Sequence, residues 1–182
     1  MRGNYPQEIL LLHHYILSTT ANPDTQKELL QLAAAIAGNQ QQAAVVHPLS
    51  LIELQEDYAF TSTPDEADRL IQNRRQQLET LIQTIEPPEF CSQVSPIVRA
   101  SRNVARATAE IAILDRASLI LVGWHRPAFS SNRLGGRVGQ ILSTAPVDVA
   151  VFIDRGRYAL EKLPFNRDSS PTITVLRLVV RR

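Results

Sequence analysis

"SLILVGWHRPAFSSNRLGGRVGQILSTAPVDVAVFID", residues 118–154, carries strand, loop, helix and strand signals in that order. Residues 118–123 form a short, strongly aliphatic run, the pattern of a strand buried on both faces. A loop with Arg126 and Arg133 follows, and residues 135–145 then read as a short helix that stops near Pro146. Residues 147–154 are a second apolar strand. Two such strands joined through a helix must run parallel, because a hairpin would reverse the chain within a few residues.

The same alternation extends upstream. Residues 15–21 read as a short strand, which the aliphatic run just before it could extend or replace. Asn22 as cap, Pro23 in the first turn and Gly38 as terminator frame a helix with Leu29, Leu32, Ala33 and Ile36 as its apolar stripe. Residues 43–51 make a second strand, apolar enough to be covered on both faces. Thr63, Pro64 and Glu66 then form a capping box, which opens a helix whose buried side is Leu70, Leu78, Leu81, Ile82 and Ile85. Pro87 and Pro88 end it.

Residues 92–101 form the third strand, and Pro96 within it argues for an edge position, since proline cannot donate to a ladder. Residues 103–117 form the third helix, with Val104, Ala105, Thr108, Ile111 and Ala112 inward. Five strands alternating with four helices give an α/β fold: a doubly wound parallel five-stranded sheet with helices on both faces. In such sheets ligands bind beyond the carboxyl ends of the strands, where the strand order reverses. Gly123 ends a strand, so the arginine-bearing loop falls on that edge.

The domain so defined covers residues 15–156. Residues 1–14 are an N-terminal extension, and residues 157–182 are a linker followed by a β-prone run, 172–180, that reads as an extra strand. Nineteen Lys and Arg against eighteen Asp and Glu leave a net charge of +1, which argues against a general nucleic-acid binder. Cys91 is the single cysteine and reads as a small hydrophobe, so a disulfide framework is excluded and a reducing cytoplasmic setting is expected. The N-terminal segment lacks the features of a signal peptide, and no run approaches a membrane span, so insertion into a membrane is not expected.

The loop and the helix after it carry the chemistry. The first amides of a helix have no intrahelical partners, and its dipole adds partial positive charge there. Gly135, Gly136 and Gly139 let that backbone approach an anion, the usual basis of phosphate binding at a helix start, with the amide of Val138 among the donors. Arg137 lies in the first turn, where a cation is unfavourable by about 0.3–1 kcal/mol; either a counter-ion, an acidic side chain or a bound phosphate, offsets this, or the side chain bends into solvent. Arg126 and Arg133 add positive charge, and His125 could donate to a phosphate or ribose or bond only to backbone. The chain has no Walker loop, no GxGxxG fingerprint, no GxSxG elbow and no histidine–carboxylate set at metal spacing, so no catalysis is expected.

These residues resemble the nucleotide motif of the universal stress protein family: Gly, two residues, Gly, nine residues, Gly, then Ser or Thr. Gly123, His125 and Gly136 match it, while Arg126 stands at the second glycine and Arg137 at the Ser/Thr position. The resemblance implies a Rossmann-like fold of the adenine nucleotide alpha hydrolase type and a homodimer. It places Thr20 near the position where ATP-binding members carry an Asp. Gly-Trp-His-Arg-Pro at 123–127, Leu-Gly-Gly at 134–136 and Asp-Arg-Gly at 154–156 resemble the soluble stress-protein-like domain that ends bacterial, especially cyanobacterial, cation/proton antiporters. That likeness implies a cytoplasmic regulatory domain at the inner face of a membrane, with an antiporter as partner. The ligands implied by the wider family resemblance include ATP, AMP and cyclic di-AMP. A free-standing ATP-binding stress protein and a ligand-free dimerisation module remain the alternatives.

Overall fold

The structure, a computed structural model, describes residues 14–19, 25–38, 44–54, 64–85, 94–124 and 136–153. Five strands alternate with four helices: β1 (His14–Thr19), α1 (Gln26–Gly38), β2 (Ala44–Glu53), α2 (Pro64–Ile82), β3 (Ile97–Ser101), α3 (Val104–Leu114), β4 (Ala117–Trp124), α4 (Gly136–Thr144) and β5 (Asp148–Ile153). The strands form one sheet in the order β3-β2-β1-β4-β5, with every neighbouring pair parallel. The chain therefore winds outward from β1 to β3 on one side, then returns to β4 and winds outward to β5 on the other. That reversal places α1 and α2 on one face and α3 and α4 on the opposite face.

Strand alternation divides the core in two. Ile16, Val46, Leu121 and Ala150 pack under Leu29, Leu30 and Ala33 of α1 and under Ile82 and Ile85 at the end of α2. Leu17, Leu49, Ile120, Val122, Val149 and Val151 point the other way, against Ala105, Ile111 and Ala112 of α3 and Val138 and Ile141 of α4. Full burial of each such aliphatic side chain contributes about 1.5–3 kcal/mol. The central strands are covered on both faces, which explains their nearly unbroken apolar composition.

Two prolines mark the edge of the sheet. The pairs Leu49↔Ile97 and Val46↔Val94 share one register, so Pro48 falls opposite Pro96. The Ser95 amide donates to the Val46 carbonyl at 3.3 Å, and Pro48 shares the parity of Val46. Its missing N–H therefore faces β3, where the ladder is already interrupted, and the β1 ladder runs unbroken from His14↔Ala44 to Thr19↔Leu49. As expected from Pro96, β3 is an edge strand, and it begins at the next residue.

In α2 the buried side is shifted from the one read in the sequence. Leu78, Ile82 and Ile85 are buried and Leu81 packs against the core, but Leu70 is 43% exposed. The inward line runs through Ala67, Ile71, Arg74 and Leu78, which puts Leu70 one residue, about 100°, off it. Arg74 disguises that line in the sequence; its Nε donates to the buried Ser50 Oγ of β2 at 2.7 Å. In α3, Asn103 caps the helix by accepting from the Arg106 amide at 2.9 Å. Thr63, Asn22, Pro23, Cys91 and the β-prone run at 172–180 lie outside the described residues.

Candidate anion site at the carboxyl edge

The strand order reverses between β1 and β4, so the carboxyl ends of these two strands form the crevice of the sheet. Thr19, the last residue of β1, lies level with Leu49 of β2 and Val122 of β4. From that level β2 continues to Glu53 and β4 to Trp124. The four further residues of β2 carry it about 13 Å beyond the level of Thr19. The Thr19 Oγ1 donates back to the Leu121 carbonyl at 3.4 Å. At the end of β4, a β-carbon at Gly123 would lie 3.5 Å from Thr25 Oγ1 and 3.7 Å from Leu29, ordinary packing distances. The start of α1 therefore sits directly against the end of β4.

The other wall is the first turn of α4. Gly136 opens it with φ +68°, the left-handed region, and a β-carbon there would meet nothing within 4 Å among the described residues. The glycine is required by the backbone rather than by crowding. Val138 and Ile141 bury the inner side of the helix, which fixes its start against the sheet. The Val138 side chain belongs to the core, so its contribution to an anion would come from its amide. Gly139 is half-buried beside it.

Arg137 projects from the same turn, and its Nη2 forms an ion pair with Glu53 Oε2. Glu53 shares the parity of Leu49 and Leu51, which puts it on the face that carries α4. The two side chains are 58% and 47% exposed, so the pair contributes only about 0–1 kcal/mol. The counter-ion that Arg137 calls for is thus supplied by an acidic side chain at the far end of β2. Glu53 is the residue that the sequence reading missed. Its signal was an acid closing an otherwise apolar strand on the carboxyl edge.

Of the residues expected at the site, Gly123, Gly136, Arg137, Val138 and Gly139 converge on this edge. Thr20, His125, Arg126, Arg133 and Gly135 lie outside the described residues. A shallow polar hollow lined by Asn73, Gln76, Gln77 and Thr80 lies along α2. Its residues recur at helical spacing on one helix, as a groove between successive turns would. Among the described residues no group of three His, Cys, Asp or Glu could hold a metal ion, and no helix is long and apolar enough to cross a membrane.

Comparison with known proteins agrees with this architecture. The hypothetical protein MJ0577 superposes with a TM-score of 0.61 at 19% identity, over 79% of this chain and 97% of its own. The universal stress protein UspA from Lactobacillus plantarum gives 0.57 at 16% identity, over 76% and 97%. A universal stress protein from Archaeoglobus fulgidus gives 0.54 at 13%, over 76% and 93%. At these identities the likeness establishes the fold. No curated protein matches the sequence. The sequence profile described as the universal stress protein family matches residues 14–152, most of the chain and all five strands except the last residue of β5, and the chain belongs to that family.

Proposed function

We propose that the chain is a non-enzymatic sensor domain that holds the phosphate of an adenine nucleotide on the first turn of α4. The observation that carries this reading is Gly136: a left-handed glycine opening a helix at the crevice between β1 and β4, followed at once by an arginine. The left-handed residue turns the chain into the helix there, and the amides that follow have no carbonyl partner within it. Arg137 adds a planar cation suited to phosphate oxygens. The family's nucleotide motif supports the same placement, with Gly123 and Gly136 both on this edge. The departures at Thr20, Arg126 and Arg137 favour a ligand held more by its phosphates than by its base and ribose, with ATP, AMP and cyclic di-AMP as the leading candidates.

The wider role is regulatory. The likeness of the segment from 119 to 156 to the terminal domain of cation/proton antiporters supports a cytoplasmic, dimeric domain that passes the state of this site to such a transporter. The pairing of Arg137 with Glu53 favours a second reading, a ligand-free interaction module in which protein acids satisfy the arginines.

Isothermal calorimetry with ATP, ADP, AMP, cyclic AMP and cyclic di-AMP, with and without magnesium, tests the site. At least one is expected to bind the wild-type chain, and Arg137→Glu is expected to abolish binding. Absence of binding by all five, or unchanged affinity in the variant, rejects it. Proton flux in vesicles carrying a cation/proton antiporter, measured with the chain present and with or without the bound nucleotide, tests the regulatory role. Unchanged flux in both conditions removes it.

A further inference from the structure

We infer that Glu53 is an internal competitor for the anion site: it occupies Arg137 when no ligand is bound and must release it when one arrives. The inference rests on the nucleotide reading above and adds a regulation of that same site. Three observations carry it. Register places Glu53 four residues past the level of Thr19, at the carboxyl end of β2. Parity turns it toward the face of α4, and the Arg137 guanidinium meets it in an ion pair. The pair therefore joins β2 to α4 across the carboxyl end of β1, the crevice a ligand must enter.

The strength of the pair suits a latch. Both side chains are about half exposed, so water and salt screen their attraction. A phosphate group brings more charge and more acceptor oxygens to the same guanidinium than one carboxylate does, and it also meets the first amides of α4, which have no carbonyl partner within the helix. Exchange of Glu53 for phosphate is then favourable at a modest cost in affinity. The exchange changes the connection between the two halves of the sheet, since β2 and α4 are coupled through this pair only while the site is empty. The device thus gives the domain two states that differ at a defined place on its surface.

The test is a set of three variants read by calorimetry with ATP, and with adenosine as a phosphate-free control. Glu53→Gln removes the competitor and is expected to tighten ATP binding by about two- to fivefold, the range of an exposed ion pair. Adenosine affinity should not change. Arg137→Gln should weaken ATP binding, and in the Glu53→Gln/Arg137→Gln double variant the effect of Glu53 should vanish, because it acts only through Arg137. If wild type binds ATP and Glu53→Gln binds it equally or more weakly, the competitor role is overturned while the nucleotide site stands. Equal tightening in the presence and absence of Arg137 overturns it too, as a general effect of removing one negative charge. Failure of wild type and Glu53→Gln alike to bind ATP overturns the competitor role along with ATP as the ligand.

Discussion

Replacing Gly136 with alanine isolates the conformational requirement that defines the candidate site. At φ +68° an L-residue pays about 1–2 kcal/mol relative to its preferred backbone regions, because its β-carbon crowds the following carbonyl. No packing term offsets or adds to this, since the new methyl would meet nothing within 4 Å among the described residues. Alanine also restricts the unfolded chain, which returns about 0.4–1 kcal/mol. The net expectation is a loss of about 1 kcal/mol, or roughly 2–4 °C in Tm for a chain of this size. Gly38 supplies the control: its β-carbon would also meet nothing within 4 Å among the described residues, but its φ lies outside the left-handed range and it closes α1. Gly38→Ala should therefore be neutral or stabilising, by at most about 1 kcal/mol. Urea unfolding of both variants, followed by far-UV circular dichroism, measures the two differences. Equal signs for the two substitutions, or a stabilised Gly136→Ala, would refute the assignment of Gly136 as the left-handed turn into α4.

Three further substitutions test other parts of the fold by the same unfolding assay. Arg116, between α3 and β4, is a non-glycine residue with positive φ, at 51°; Arg116→Gly should be stabilising by up to about 1 kcal/mol, and a clear loss would contradict the strain. Asn103→Ala removes the oxygen that accepts from the Arg106 amide and should cost about 1 kcal/mol, whereas Asn103→Asp should retain most of the stability. Ser18 is fully buried in β1 and its hydroxyl has no hydrogen-bond partner among the described residues, so Ser18→Ala should be neutral or stabilising by up to about 1 kcal/mol; a substantial loss would reveal a partner for that hydroxyl.

Much of this architecture was legible in the amino-acid order because the relevant signals are local. Largely apolar runs at β2, β4 and β5 mark strands covered on both faces, and Pro96 marks the edge. The alternation of strands and helices then fixes a parallel sheet. Leu70 was misplaced because Arg74 interrupts the apolar line of α2, and only the tertiary bond to Ser50 shows that Arg74 faces inward. Gly136 was legible as a turn residue, because glycine before an apolar helical pattern has few other uses. Glu53 was not, because its importance comes from strand register: it stands 84 residues from Arg137, and an acid that closes a strand does not by itself name its partner.

The most direct test of the central claim is a titration of the isotopically labelled chain with ATP, observed by amide nitrogen–proton NMR. If phosphate sits on the first turn of α4, the amides of Gly136, Arg137, Val138 and Gly139 should shift most, accompanied by Gly123 and Thr19 at the crevice and by Glu53 as its partner is withdrawn. The Gln76 and Thr80 amides on α2 should stay in place. Saturable shifts centred on α2 or on the β5 edge, with α4 unmoved, would contradict the account.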